Sequence, residues 1–585
     1  MVGGSRGARR WTVAETLSLV SERVDDMPVL VAPLDRLGVQ PLLDEHFPTH
    51  GHGVGLSLGW VSVRWLTPIL SEGDHRLNHV APWAKQRLQT LRECTGQPVH
   101  PLDVGDDRLA TVLEAVSDDM RWSAGAEALN QHARRVYDLQ PACVRLDRTT
   151  ANGPWTVTDD GLFQFGPRND HRPALPQLKI MVSALDPLGM PVATAIVSGP
   201  RADDPLYIPA IARVREGLGR RGVLSGGDGQ RNALETRAYL HAGGDDDLCP
   251  WSERHLPPAV LADYLAPGWA EEPTLTVMHR APPGGPSKLI AEGFERLEPV
   301  TADVAGQPYS WRERRVVSRS YQLAQAVERG LHGRLAKAQA EIMALNTHGR
   351  GRRRCADPSA LREAVDTLLA RYRVQGLLHV RYTARFWARP RRRDGHRHTT
   401  VGLAWDVQGR VRLAQEAVAA AVRQWGWRVY VTNHPPAQLS LEEAILAYRT
   451  ASLVERAMGR LKGRPLSLTP LYLERDDHAT GLIRVLSLGL RVLTRLECGV
   501  RRCLATANTT RGGLSVGTPK RATAHPTAER VLEAVQGLTL TIIREGRRRR
   551  SHLTPLSRVQ RRLLARLNFP VDIYTRRCPD SHKPP

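Results

Sequence analysis

The chain has 585 residues, a hydrophobic fraction of 41% and a formal net charge of +22 at pH 7. Its length favours three or four domains, and its apolar content is enough for packed cores. No uncharged apolar run approaches a membrane span, and the basic N-terminus lacks the apolar stretch of a signal peptide. Seven scattered cysteines without a CxxC pair argue against zinc ribbons and thioredoxin-like motifs. We therefore expect a cytoplasmic protein with no membrane partner.

The charge predicts a polyanionic partner. Lysine and arginine number 82 against 60 acidic residues, and most of the excess is arginine, which suits bidentate phosphate contacts. Nucleic acid is the commonest partner of this kind. The alternative is a basic protein from a GC-rich genome, in which arginine is favoured without a binding role.

The first 140 residues have the spacing of helices. Apolar residues recur every three or four positions in LDRLGVQPLLDEHF and DRLATVLEAVSDD. This pattern predicts a helical N-terminal domain over 1–140.

Residues 141–245 have the pattern of an α/β unit. ACVRLDRTT is a short β-type run, and QLKIMVSALDPLGMPVATAIVSG predicts two strands around a tight turn at Pro187 and Gly189. IPAIARVREGLG predicts a helix, GVLSGGDGQ a further short strand, and RNALETRAYLHAGG a helix that ends at glycine. Strands that alternate with helices predict a packed α/β layer.

The remaining chain divides into three regions. Residues 246–430 mix strand and helix patterns with two arginine clusters, which predicts a mixed insertion domain. Residues 431–510 return to helical spacing, and GLIRVLSLGLRVLTRLECGVRRCLA predicts a long, largely apolar helix packed on the sheet. The polar and basic composition of 511–585 predicts a C-terminal tail.

A capped helix is expected over 441–462. SLEE matches a capping box with Ser440 as N-cap and Glu443 three residues on, and glycine and proline follow Lys462 closely. Tyr448, Glu455 and Lys462 are spaced seven residues apart, so a helix places them on one stripe. Lys462 and Tyr448 are then candidates for phosphate contact on either side of Glu455. The alternative is an amphipathic helix whose polar stripe faces water.

Three carboxylates stand out by their context. Asp147 lies inside the first strand of the α/β unit, Asp228 ends a later strand beside glycines, and Glu455 lies on the capped helix. Each alone is more often a turn residue, a cap or a surface salt-bridge partner. Two acids on neighbouring strands and a third on a helix that crosses the sheet could form a cluster of three carboxylates. Such a cluster is electrostatically costly unless divalent cations occupy it. Oxygen ligands suit Mg²⁺ or Mn²⁺, and two such ions about 4 Å apart support phosphoryl transfer.

Four stretches together resemble DDE transposases of bacterial insertion sequences: LDRTT, HRPALPQLKIMVSALDPLGMPVATAIVSGPRADDPLYIPAI, GGDGQRNALETRAYL and YRTASLVERAMGRLKGRPLSLTPLYL. The resemblance covers about 141–250 and 425–505, and is strongest to the group with a long β-rich insertion between the second Asp and the Glu. It implies an α/β fold: a ribonuclease-H-like mixed sheet flanked by helices and interrupted by an insertion domain, with a helical N-terminal domain as a candidate for DNA-end binding.

The resemblance also implies the site. Asp147, Asp228 and Glu455 match the catalytic, metal-binding triad, which implies two Mg²⁺ or Mn²⁺ ions. Tyr448 and Lys462 match the tyrosine and lysine of a Y-x2-R-x3-E-x6-K signature. The chain departs from that wording at two positions: Ala451 replaces the arginine, for which Arg449 is a candidate substitute, and Ala174 stands where HRPDL is usual.

The sequence thus predicts a DNA transposase that cleaves at terminal inverted repeats and joins the ends to target DNA, as a homodimer when bound to DNA ends. Expected DNA contacts are Tyr448, Arg449 and Lys462, with the arginine cluster Arg391, Arg392 and Arg393. Two alternatives stay open: a nuclease of the same fold without strand transfer, and a catalytically inactive DNA-binding protein derived from a transposase.

Overall fold

The computed structural model describes residues 17–49, 55–166, 175–200, 206–227, 232–251, 256–269, 275–280, 286–346, 355, 357–392, 399–449, 452–507, 510, 522–545 and 548–575. The chain forms two compact units. The first comprises Met1–Cys249, Thr301–Tyr309 and Ala447–Pro585, and the second comprises Pro250–Val300 and Ser310–Leu446. Within the described ranges, no helix combines the length and apolar character needed to cross a membrane.

The N-terminal region of the first unit is mostly helical, as its apolar spacing predicts. Its elements are β1 (Leu17–Arg23), α1 (Met27–Arg36), α2 (Val39–His46), α3 (Leu58–Glu72), α4 (Leu77–Lys85), α5 (Leu88–Thr95), α6 (Asp106–Ser117) and α7 (Asp119–Tyr137). Helix α3 is buried over most of its length because it packs against α1, α2 and α6. It begins at Ser57, whose Oγ accepts from the amide of Trp60, and ends at Gly73 in the left-handed conformation.

A mixed sheet follows. It is built from β2 (Cys143–Asn152), β3 (Gln177–Asp186), β4 (Met190–Ser198), β5 (Leu224–Gly227) and β6 (Asp246–Pro250), with α8 (Tyr207–Leu218) and α9 (Leu234–Ala242) between the later strands. The strand order is β4-β3-β2-β5-β6. Strands β2, β3 and β4 are antiparallel neighbours, whereas β2, β5 and β6 run parallel. The strands and helices predicted for 141–245 are therefore present.

The second unit contains long hairpins and helices. Its elements are α10 (Pro258–Trp269), β7 (Thr276–Arg280), β8 (Lys288–Val304), β9 (Gln307–Ser320), α11 (Tyr321–Ala344), α12 (Pro358–Tyr372), β10 (Leu378–Arg392), β11 (Thr399–Leu413), α13 (Gln415–Arg423), β12 (Trp427–Thr432) and α14 (Leu441–Arg449), of which β8, β9 and α14 each continue into the first unit. Strand β9 pairs antiparallel with β12, and β10 pairs along its whole length with β11. This unit includes most of 246–430, while the five-part domain division stays a prediction.

The C-terminal elements are α15 (Ser452–Lys462), α16 (Asp476–Thr506), α17 (Ala528–Glu533), β13 (Thr539–Glu545), β14 (Arg548–Leu553), α18 (Arg558–Leu567) and α19 (Asp572–Thr575). The long apolar helix expected in this region is α16, which packs against β4 and α6. The capping box is confirmed, because Glu443 Oε2 accepts from the amide and hydroxyl of Ser440 at 2.8 and 2.7 Å. The range 441–462, expected as one helix, contains α14 and α15, with Thr450 and Ala451 outside the described residues.

The segment after 511 differs from the basic tail that its composition predicts. Strand β13 pairs with both β1 and β14, so the C-terminal residues form a small sheet with the N-terminal ones. Leu540 and Ile542 alternate into the core from β13, and Leu563 and Leu564 of α18 are buried as well. Arginines on the exposed faces dominate the composition and mask these apolar positions, which is why composition alone indicates a tail.

Candidate active site

The site begins where β2 and β5 run side by side. Their parallel register pairs Arg145 with Gly226 and ends with Leu146 opposite Gly227. Asp147 is the next residue of β2; it is half-buried, and its Oδ1 accepts from the amide of Arg148 at 2.8 Å. Asp228 is the residue that follows Gly227 in the sequence, and it lies outside the described residues. In the sequence, each predicted acid therefore comes one position after the last pair of the β2–β5 register, Leu146 and Gly227.

Side-chain alternation assigns Asp147 to one face of the sheet. Val144 and Leu146 line a small apolar cavity with Ile211 of α8, so their face packs on that helix. Arg145 points to the opposite face, and Asp147, two residues on, shares that face.

Arg145 links this face to the chain that leads into α15. Its guanidinium donates to Asp186 at 2.6 and 3.0 Å and also to the carbonyl of Ala447. Gly226 lies beside this arginine, and a Cβ at that position would lie 3.4 Å from Nη1, in ordinary van der Waals contact.

Helix α15 packs against β2 and β3. Val454, Ala457, Met458 and Leu461 are buried at the spacing of an apolar helix stripe. Glu455 is exposed in the first turn, where the helix dipole favours a negative charge, and Lys462 is half-buried at the end. The structure therefore brings the helix that carries Glu455 onto the strand that carries Asp147.

Among the described residues, Glu455 is not a salt-bridge partner. In the part of the chain that the structure describes, no basic group forms an ion pair with it, although Arg456 follows it directly and Arg460 lies one turn further on. Both arginines bind other acids: Arg456 pairs with Glu497 at 2.6 Å, and Arg460 pairs with Glu497 and, at 2.7 Å, with Glu529.

Glu497 is the centre of a buried network that sequence reasoning missed. Besides Arg456 and Arg460, it pairs with Arg501 at 2.8 Å and accepts a hydrogen bond from the amide of Ala528 at 3.3 Å. Burial would lower the pKa of Arg460, but the carboxylates of Glu529 and Glu497 raise it. The network ties α15 to α16 and α17. The i,i+4 spacing of Glu497 and Arg501 was visible in the sequence, whereas the long-range partners were not.

The other predicted contact residues are placed as follows. Tyr448 and Arg449 are half-buried at the end of α14. Arg391 and Arg392 lie in β10 opposite Thr400 and Thr399, with side chains that are not described, and Arg393 lies outside the described residues, as does Ala174.

A different cluster has the spacing of metal ligands. Among the described residues, Glu114, Asp477 and His478 place three ligand atoms within 4.8 Å of one another. Arg475 already pairs with Glu114 at 3.0 Å and with Asp477 at 2.5 Å. The guanidinium supplies the positive charge there, so this cluster is explained as an ion-pair network.

The chain was compared with known proteins. No protein-family model matches it, and no curated protein sequence matches it. Among solved structures, a cryo-EM structure of a piggyBac transposase synaptic complex with hairpin DNA is similar over 81% of this chain and 76% of that chain, with 8% identity and a TM-score of 0.27. A likeness of this strength supports no argument about fold or function.

Proposed function

We propose that this protein is a DNA transposase that cleaves DNA at the ends of a mobile element and joins those ends to target DNA. The observation that supports it most directly is the β2–β5 register, which ends one residue before Asp147 on one strand and before Asp228 on the other. The packing of α15, the helix that carries Glu455, on β2 also supports the proposal.

The strand order supports a ribonuclease-H-like core. The first three strands of the sheet are antiparallel, the fourth and fifth run parallel to the first, and the order is third, second, first, fourth, fifth. This is the arrangement of ribonuclease-H-like folds. In it, Asp147 lies on the first strand and Asp228 directly follows the fourth. The motifs that resemble insertion-sequence DDE transposases occur at the same positions.

The donor set fits divalent cations. Asp147 and Glu455 offer carboxylate oxygens, the ligands that Mg²⁺ and Mn²⁺ prefer. Glu455 is free of ion pairs within the described chain, so its charge is available. Magnesium, when bound, would supply a water nucleophile and neutralise charge on the reacting phosphate. Asp147, Asp228 and Glu455 would hold the ions.

Other residues would bind and orient the DNA. Lys462, two turns beyond Glu455, would contact a phosphate of the bound strand, and Tyr448 and Arg449 would contact the strand on the other side. The cluster Arg391–Arg393 and the net charge of +22 would add sequence-independent affinity. We propose double-stranded DNA as the partner and a dimer as the form that holds two ends.

Labelled DNA from the sequence that flanks the gene tests this proposal. With Mg²⁺, the purified protein should nick one end of the element and join it to a target duplex, and EDTA should abolish both products. Asp147→Asn should remove nicking but retain DNA binding, because the amide keeps the shape of the side chain and loses its charge. Nicking without joining would indicate a nuclease of the same fold, and binding without nicking an inactive derivative.

A further inference from the structure

Helix α16 carries two buried arginines, seven residues apart. Within the described chain, Arg484 has an acidic partner and Arg491 does not. Arg484 donates to the carbonyl of Val116 at 2.8 Å and pairs with the carboxylate of Asp119. Arg491 is 4% exposed, and among the described residues none accepts a hydrogen bond from it or forms an ion pair with it. Burial lowers the pKa of Arg491 to about 10, so the guanidinium stays protonated at neutral pH.

Arg491 lines a cavity of about 30 Å³ that is formed by α7, α8, β4 and α16. Three residues of its lining have a buried polar atom without a hydrogen-bond partner in the described chain: Nε of Arg484, Nε of Arg491 and Oδ1 of Asn130. Unsatisfied polar atoms that surround a cavity of this size indicate that it is filled by a polar species.

The charges around the cavity indicate the sign of that species. Three arginines line it, Arg213, Arg484 and Arg491, against two carboxylates. Asp119 is 70% exposed and already forms ion pairs with Arg484 and, at 3.9 Å, with Arg213. Glu127 accepts a hydrogen bond from Gln131 at 2.9 Å. A positive charge therefore remains at Arg491, and a buried guanidinium without a counter-ion is strongly unfavourable.

We propose that this cavity binds a small inorganic anion of the size of chloride, which acts as the counter-ion of Arg491. A volume of about 30 Å³ holds one or two water-sized particles, too little for a phosphodiester with its sugars. The two acids of the lining also disfavour DNA. Oδ1 of Asn130 needs a donor, which a water molecule beside the anion supplies. The anion thereby links α16 to α7, α8 and β4, independently of the proposed catalytic site.

The test is the thermal stability of the full chain at constant ionic strength, with gluconate progressively replaced by chloride. An anion that binds only the folded protein stabilises it by mass action, so Tm should rise by about 2 °C from 5 to 500 mM chloride. Arg491→Met keeps the length of the side chain but removes the charge, and should abolish the rise. Arg495→Met is the matched control, since Arg495 lies on the same helix over the Tyr137 ring and does not line the cavity. It should retain the rise.

A second measurement does not depend on the folding of any variant. Crystals of the wild-type protein soaked in bromide should show an anomalous peak within hydrogen-bond distance of the Arg491 guanidinium. A soaked crystal with no peak in this cavity would overturn the proposal, because the cavity would then hold only water. An equal chloride response in wild type and Arg491→Met would overturn it as well.

Discussion

Helix α15 borders two regions that differ in how their carboxylates are paired. On its buried side, Glu497 is 4% exposed and binds three arginines and a backbone amide. On its exposed side, Glu455 is adjacent in sequence to one of those arginines and has no ion pair within the described chain. The comparison shows that a basic helix does not neutralise every acid it carries, because its arginines are already bound elsewhere.

The two regions follow different physical rules. A buried carboxylate must be paired, because its desolvation would otherwise destabilise the fold. An exposed carboxylate is solvated and needs no partner, so its lack of one is compatible with a surface role. What separates Glu455 from an ordinary surface acid is its position on a helix packed over the β2 strand that carries Asp147.

The largest expected effect on stability comes from the buried region. Glu497→Gln leaves Arg456, Arg460 and Arg501 without their shared acid, so unfolding should become easier by about 3–5 kcal/mol. Urea denaturation of the variant measures this loss. Glu533→Gln, on the exposed side of α17, is the control and should change stability little. A loss below about 1 kcal/mol for Glu497→Gln would mean that the network does not hold α15 in place.

Asp26 is a buried acid that forms no ion pair among the described residues, in contrast to Glu497. Asp26 is 1% exposed; burial raises its pKa from 3.8 to about 6, against a hydrogen bond from Ser71 at 2.7 Å that lowers it. Because the folded pKa exceeds the unfolded one, this group's stabilising contribution is full below pH 3.8 and is lost as pH rises through 6.

Asp26→Asn should therefore stabilise the protein at pH 7 by roughly 2 kcal/mol, which corresponds to somewhat less than the full shift in pKa. It should also remove the fall in stability between about pH 4 and pH 6. Denaturation curves at several pH values measure both effects. If the free energy of unfolding depended on pH in the same way in wild type and variant, Asp26 would not be the group that causes this loss of stability.

A smaller effect is expected from Lys462, at the end of the exposed side of α15. Lys462→Ala should weaken DNA binding by less than about tenfold and reduce the slope of log affinity against log salt by about one, since one phosphate contact is lost. Cleavage of saturating DNA should persist in part. Lys85→Ala, an exposed lysine of α4, is the control. An unchanged salt slope for Lys462→Ala would remove this residue from the DNA interface.

Local signals in the sequence predicted the parts of the fold that depend on local chemistry. A short β-type run predicted β2, the turn residues Pro187 and Gly189 predicted the two strands β3 and β4, the Ser440–Glu443 pair predicted the start of α14, and apolar spacing predicted α16. The interactions of Glu497 with Arg460 and of β1 with β13 join residues far apart in the chain, and no local pattern encodes them. The anion cavity was also inaccessible to sequence reasoning, because Arg484 and Arg491 look alike until their neighbours are known.

Glu455 is the residue on which the proposed activity depends most directly. Nicking of DNA from the ends of the element, with Mg²⁺, should be compared for wild type, Glu455→Gln and Glu474→Gln; Glu474 is likewise exposed and has no ion pair among the described residues. We predict that Glu455→Gln reduces nicking by about 100-fold or more with unchanged Tm and DNA binding, because the site loses a charged metal ligand. Glu474→Gln should nick normally. Nicking at the wild-type rate by Glu455→Gln would contradict the account and make Glu455 an ordinary surface acid.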